Sequence, residues 1–132
     1  MRVYVIRHGE SETNKAKKWT GWLDVHLADK GKDDAKKAGD FLKRISFDKI
    51  YSSDLIRARE TAEIAIPGCR YEISELLREI NVGSLVGKPL SVLTEEQRLD
   101  FERNSYIAFG GESQKDFSDR VTGFMKRLED LN

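Results

Sequence analysis

A chain of 132 residues and 15.1 kDa has the length of one domain, enough to bury a core but not to build a second one. Its 23 Lys and Arg balance 23 Asp and Glu, so no net field draws it toward nucleic acid or an anionic membrane, and an anion must be held by local clustering. The lone cysteine, Cys69, excludes an internal disulfide, and two histidines in the whole chain give no metal cluster; with no window near the roughly eighteen apolar residues of a membrane span, a soluble protein in a reducing cytoplasm is expected.

Val3 to Ile6 is a short apolar, β-branched run that reads as a buried strand. Arg7, His8 and Gly9 follow at its carboxyl end, where an α/β sheet presents loops to a ligand. Gly9 removes a side chain where backbone must come close to something, and Ser11 to Asn14 can hydrogen-bond or begin a helical turn. A cation and an imidazole beside a glycine form what an anion site needs. Residues 15–28 show neither helical nor strand period and carry two tryptophans, which reads as a long loop at the same edge, its tryptophans binding or packing. His26 lies in this stretch and is expected at the surface.

The first helix is expected from Asp29 or Gly31 to Arg44, with Ala35, Ala38, Phe41, Leu42 and Ile45 on one stripe. Phe47 to Ser52 reads as a second strand, and Ser52, Ser53 and Asp54 supply caps for a helix from Leu55 to Ile66 that turns Leu55, Ala58, Ala62 and Ala65 inward. Arg57 and Arg59 fall in its first turn, beside exposed amides and the positive end of the helix dipole, where an anion is welcome. Tyr71 to Ile73 reads as a third, edge-like strand, and a loop carrying Glu79 follows. Lys88 to Arg103 is expected to be one helix after Pro89, weakly amphipathic through Leu90, Leu93, Leu99 and Phe101. Ser113 with Asp116 makes a capping box for a last helix striped by Phe117, Val121, Phe124, Met125, Leu128 and Leu131.

Five stretches occur in an order that resembles the histidine phosphatase superfamily, which includes cofactor-dependent phosphoglycerate mutases and many small phosphatases. They are Arg7-His8-Gly9-Glu10 with Asn14, the loop Trp19-Thr20-Gly21-Trp22, the run Tyr51 to Ala62, the segment Glu75 to Gly87, and Gly110-Gly111-Glu112-Ser113. Together they span nearly the whole chain. The resemblance implies a three-layer α/β/α fold with a mostly parallel sheet. It implies that His8 becomes phosphorylated and that Glu79 donates the proton to the leaving group. Arg57, the arginine before the first alanine of its motif, would bind phosphate, whereas Arg59 would be an ordinary solvated charge. Arg7 and Asn14 would add contacts to the phosphate, and Thr20 and Gly21 would offer hydrogen bonds to substrate. His8 must then be neutral, and the two arginines disfavour its charged form while gripping phosphoryl oxygens. No catalytic position falls on His26, and no metal is implied.

The implied activity is metal-independent phosphoryl transfer from a small phosphomonoester, as a phosphatase. The alternative is a phosphoglycerate mutase, which would need 2,3-bisphosphoglycerate as primer; the stretch from Glu79 to Gly110 is short for a mutase. Family members continue past the last helix into another strand, whose Ser-His-Gly-like turn carries a second pocket histidine that this sequence lacks. The expectation is therefore a piece of a longer enzyme, with three strands for four helices, and with a rearranged sheet or a strand supplied by a second copy in a homodimer. An inactive or weakly catalytic phosphate-binding domain is the corresponding reading from another class. The expected partner is a small phosphorylated substrate, with no nucleic acid and no membrane.

Overall fold

Apolar spacing, joined at some helix starts by a capping side chain, sets the helices of this α/β chain, whereas its strands depend on neighbours. The structure, a computed structural model, describes residues 1–131, with backbone alone for 101–104. It divides into two compact units, one of Tyr4–Lys15 with Asp24–Arg78, the other of Met1–Val3, Ala16–Leu23 and the chain from Glu79 onward.

In the first unit a single turn, α1 (Glu12–Lys15), starts at Ser11. Ser11 Oγ accepts from the Asn14 N–H at 3.2 Å and Asn14 Oδ1 accepts from the Ser11 N–H at 3.0 Å, a reciprocal cap that fixes four residues. The helix α2 (Asp29–Leu42) buries Gly31, Ala35 and Leu42. Phe41, expected on that stripe, is 62% exposed, because it lies one residue and about 100° around the helix from Leu42. Helix α3 (Ile56–Ala65) packs on α2 so closely at Gly39 that a Cβ there would come within 2.6 Å of the Ala65 carbonyl oxygen. Its buried stripe is Arg57, Thr61 and Ala65, and the expected Ala58 and Ala62 are only half-buried.

The strands are shorter than expected. Strands β1 (Tyr51–Ser52) and β2 (Glu72–Ile73) pair in parallel, Tyr51 opposite Glu72 and Ser52 opposite Ile73, with ladder bonds from Glu72 N to Ile50 O and from Ser74 N to Ser52 O, each 2.9 Å. Val3 to Ile6 is no strand and is not buried: Val5 is 86% and Ile6 46% exposed. The residues have the composition of a strand, but a strand exists only through a partner's ladder, and no described segment pairs with this run. The sheet of the described residues thus has two strands where three were expected.

The second unit gathers around Trp19, Val82, Leu85 and Tyr106, with Ile80, Leu90, Leu93 and Phe109 against them. Trp19 meets Tyr106 edge to face at 5.9 Å, and its backbone bonds to Lys88 O and from Gly87 N stitch the 16–23 loop into this core. The helix expected from Lys88 is instead a 3₁₀ turn, Leu90–Val92, followed by α4 (Glu95–Asn104). A second reciprocal cap resets it: Thr94 Oγ1 accepts from Gln97 N and Gln97 Oε1 from Thr94 N. Phe101, placed on that helix's apolar face, lies outside the described side chains. Helix α5 (Gln114–Asp130) starts as its sequence says, with Ser113 Oγ accepting from Asp116 N at 2.9 Å. Of its stripe only Phe124 is fully buried, and Leu131 is 65% exposed. No helix of the described residues is long and apolar enough to cross a membrane.

Candidate active site

His8 stands in the first unit between two partners that define its chemistry. Its Nδ1 lies 2.7 Å from the Gly9 carbonyl oxygen, and its Nε2 lies 3.3 Å from Arg57 Nε. A carbonyl only accepts and a guanidinium N–H only donates, so Nδ1 carries the proton and Nε2 presents a lone pair. The ring is the neutral form a nucleophile requires. Arg57, at the start of α3, is 1% exposed, so the charge facing His8 is shielded from water. The exposed neighbour Arg59 bonds instead to the Tyr71 hydroxyl at 3.4 Å, so the two arginines have different partners.

His8 opens onto a cavity of about 340 Å³ lined also by Arg7, Glu10, Asn14, Lys30 and Thr61. Among the described residues Arg7 makes no hydrogen bond or ion pair, so its planar fork is available to an anion. Lys30 sits 3.0 Å from Asp34, whose hydrogen bond pushes the lysine pKa up and holds it charged. Asn14 spends its Oδ1 on the cap of α1, where it accepts from both the N–H and the hydroxyl of Ser11. Its Nδ2, a donor, makes no hydrogen bond among the described residues and is the group this cavity-lining side chain has left to offer. Gly9, which also lines the cavity, allows the close approach of Gly31: a Cβ on Gly9 would stand 2.2 Å from the Gly31 carbonyl oxygen. Thr61, to which the sequence assigns no role, joins these elements, because Gly9 N–H donates to its Oγ1 at 3.1 Å.

Thr20, Gly21 and Glu79 belong to the second unit. Thr20 is 6% exposed and its carbonyl takes the Leu23 N–H, so its hydroxyl is not on an open surface. Gly21 has φ +49 and leaves no room for a Cβ, which would meet Val82 Cγ2 at 2.6 Å. The Glu79 side chain is exposed while its backbone is held: the Trp22 indole N–H donates to the Glu79 carbonyl at 2.7 Å and Arg120 Nη2 does so at 3.3 Å. Arg120 is itself locked by two bonds to the Glu112 carboxylate, which also receives the Asn81 N–H at 2.8 Å. Trp22 and the Glu112 of the Gly-Gly-Glu-Ser turn thus have a common task. His26 is exposed and paired with Glu60 at 2.7 Å, a surface role.

The family model of the histidine phosphatase superfamily, branch 1, matches residues 3–132. The chain belongs to this superfamily. "Probable phosphoglycerate mutase GpmB" of Salmonella choleraesuis is 36% identical over 129 residues, and that of Escherichia coli O1:K1 is 34% identical over 141. These alignments cover 92% and 99% of this chain but 60% and 64% of the relatives, so the chain spans under two thirds of their length. Among solved structures, TTHB049 of Thermus thermophilus superposes with TM-score 0.75 at 33% identity, covering 91% of this chain and 68% of that one. A "putative alpha-ribazole-5'-P phosphatase" of Escherichia coli superposes with TM-score 0.79 at 26% identity, covering 96% and 66%. The α/β fold of this histidine phosphatase superfamily member is accordingly phosphoglycerate mutase-like.

Proposed function

We propose that the chain transfers a phosphoryl group from a small phosphomonoester to His8 and then to water. One observation carries this reading: a neutral imidazole whose Nε2 lone pair meets a buried guanidinium, at the wall of a cavity that offers the fork of Arg7, unpaired among the described residues. In the first step the phosphoryl oxygens take over the Arg57 N–H that Nε2 holds at rest, the freed Nε2 lone pair attacks phosphorus, the P–O bond to the leaving group breaks, and the leaving oxygen takes a proton from Glu79. The positive charge that develops on the ring is shared through Nδ1–H with the Gly9 carbonyl. In the second step water, giving its proton back to the Glu79 carboxylate, attacks phosphorus, and the N–P bond returns its electron pair to Nε2. Arg7, Arg57 and the Asn14 amide take the phosphoryl oxygens in both steps, so the electrostatic work falls on protein cations and no metal enters. The role of Glu79 rests on its motif, and the bonds from Trp22 and Arg120 supply a fixed backbone for it.

The phosphatase reading draws support from the short stretch between Glu79 and Gly110 and from the α-ribazole-5'-P phosphatase likeness. The mutase reading, primed by 2,3-bisphosphoglycerate, draws on the names of the sequence relatives. Hydrolysis of p-nitrophenyl phosphate in the presence of a chelator, beside His8→Ala, tests the chemistry. Acid-labile, alkali-stable label on the wild-type chain alone identifies phosphohistidine. Conversion of 3-phosphoglycerate only with 2,3-bisphosphoglycerate present selects the mutase. Phosphate or vanadate binding with turnover at the level of His8→Ala would replace both readings with a phosphate-binding domain.

A further inference from the structure

Thr61 is the polar side chain that joins both halves of the His8 environment. It is 6% exposed, its Oγ1 accepts from the Gly9 N–H at 3.1 Å, and its hydroxyl proton goes to the Arg57 carbonyl at 2.7 Å. Gly9 is the residue whose own carbonyl holds His8 Nδ1–H, and Arg57 the residue whose Nε–H meets His8 Nε2. One hydroxyl therefore ties together the two stretches of backbone that supply the partners of the imidazole. A helical threonine commonly bonds to the carbonyl four residues back and stops there. Here the remaining lone pair reaches a chain 52 residues away in sequence, and the same side chain borders the cavity.

We propose that Thr61 is a positioning residue of this site, its hydroxyl fixing the Nδ1–H tautomer and the orientation of His8 through Gly9 and Arg57. The two bonds have different consequences. The bond from Gly9 N–H fixes the peptide between His8 and Gly9, and so the start of the imidazole side chain. The bond to Arg57 O fixes the α3 turn from which the guanidinium reaches Nε2. With both present the ring has one proton arrangement; with both gone the proton distributes over the two nitrogens. The effect on the ring stands on these contacts alone, and its effect on rate rests on the phosphohistidine reading.

The test is nitrogen-15 spectroscopy of the imidazoles in the full 132-residue chain, with His8→Ala to assign His8 and with His26, on the exposed Glu60 pair, as an internal report of folding. We expect a protonated Nδ1 and bare Nε2 for His8 in the wild type and in Thr61→Ser, and a mixed tautomer in the nearly isosteric Thr61→Val with His26 unmoved. In p-nitrophenyl phosphate hydrolysis Thr61→Val should lose roughly ten- to a hundredfold in kcat with little change in KM, and Thr61→Ser should restore it. A Thr61→Val chain with the wild-type His8 signature and unmoved His26 overturns the proposal. If Thr61→Val does not fold, Thr61→Ser decides: a mixed tautomer despite the retained hydroxyl is equally fatal. A wild-type chain with the expected tautomer and no turnover refutes the phosphohistidine reading and leaves the positioning role of Thr61 standing.

Discussion

The two nitrogens of His8 are told apart by one carbonyl and one guanidinium, so the identity of the residue opposite Nε2 is testable directly. Lysine at position 57 keeps the charge but cannot offer the planar Nε–H, and in a site with 1% exposure no water substitutes for it. Arg57→Lys is expected to lower kcat/KM for an aryl phosphate by about 10² to 10³, the scale of removing one preorganised donor; a change below about threefold would remove Arg57 from the phosphate contacts. Asn14 permits a sharper separation, because its oxygen serves the fold and its nitrogen is left over for the cavity the residue lines. Asn14→Asp retains the acceptor for Ser11 and repels the anion, so phosphate affinity by calorimetry should fall while the thermal midpoint holds; Asn14→Ala should lose both, the cap being worth about 1 kcal/mol. An Asn14→Asp chain that binds phosphate as well as wild type would deny the amide its role. His8, Arg57 and Asn14 could be singled out as candidates because each sits in a motif whose spacing is local, and the structure sets Arg57 against the His8 ring and lines the cavity with His8 and Asn14. Thr61 was not, since a threonine in a polar helical stretch carries no mark of the chain 52 positions earlier that it meets.

At the level of elements, the pair of Asp54 and Arg78 ties the start of α3 to the turn after β2, with Arg78 Nε 2.8 Å from Asp54 Oδ1 and a second contact from Nη2 to Oδ2. The hydrogen bond from Arg78 holds the Asp54 carboxyl below its ordinary range, against the upward push of burial. A carboxylate whose folded value is depressed contributes stability above its unfolded pKa, and that contribution is lost as the pH falls through the lower folded value. Acid unfolding followed by circular dichroism should therefore show a steeper fall below about pH 4 in the wild type than in Asp54→Asn. Equal slopes would mean that the pair does not couple to folding. Helix α5 supplies a second check: Ser113→Ala should cost about 1 kcal/mol in thermal or urea unfolding through loss of the Asp116 N–H bond. The positions of α2, α3 and α5 could be read from sequence because 3.6-residue spacing lies within the element, and α5 also has its expected Ser113 cap. By contrast α2 starts at Ala28 and α3 at Leu55 with no side-chain cap, so the caps expected from Ser52 to Asp54 are not formed on α3. The start of α4 could not, as Thr94 and Gln97 outweighed the apolar pattern that runs through from Leu90. The strand expected at Val3 to Ile6 failed for the opposite reason, since its composition is right and no described segment pairs with it.

Across the whole molecule, that unpaired run has a consequence for solution behaviour. Val3, Val5 and Ile6 are 41%, 86% and 46% exposed, and Phe41 beside Tyr4 adds a ring that is 62% exposed. A strip of this kind promotes association of chains through backbone pairing and apolar contact. Sedimentation velocity should show concentration-dependent association that Val5→Lys suppresses without lowering the thermal midpoint, and a wild type that stays monomeric over the same range would refute the expectation. The fold class and the order of the motifs were visible from the sequence, because each rests on short segments. What joins Trp22, Arg120 and Glu112 around Glu79 was not, because those residues are scattered from 22 to 120 and meet only in the folded second unit.

The contact between Gly9 and Gly31 reaches beyond the site it borders. A Cβ on Gly31 would stand 2.0 Å from the Glu10 carbonyl oxygen, just as one on Gly9 would stand 2.2 Å from that of Gly31, so neither position has room for a side chain of its own. The obstacle on both sides is main chain, which no compensating change elsewhere can trim. A saturation library at both positions should consequently return Gly-Gly alone among active clones, with no permissive pair such as Ala with Gly in either order. For sequence drift each of the two codons is immovable on its own, and His8, next to the first of them, inherits a backbone position that substitution at either glycine cannot tune.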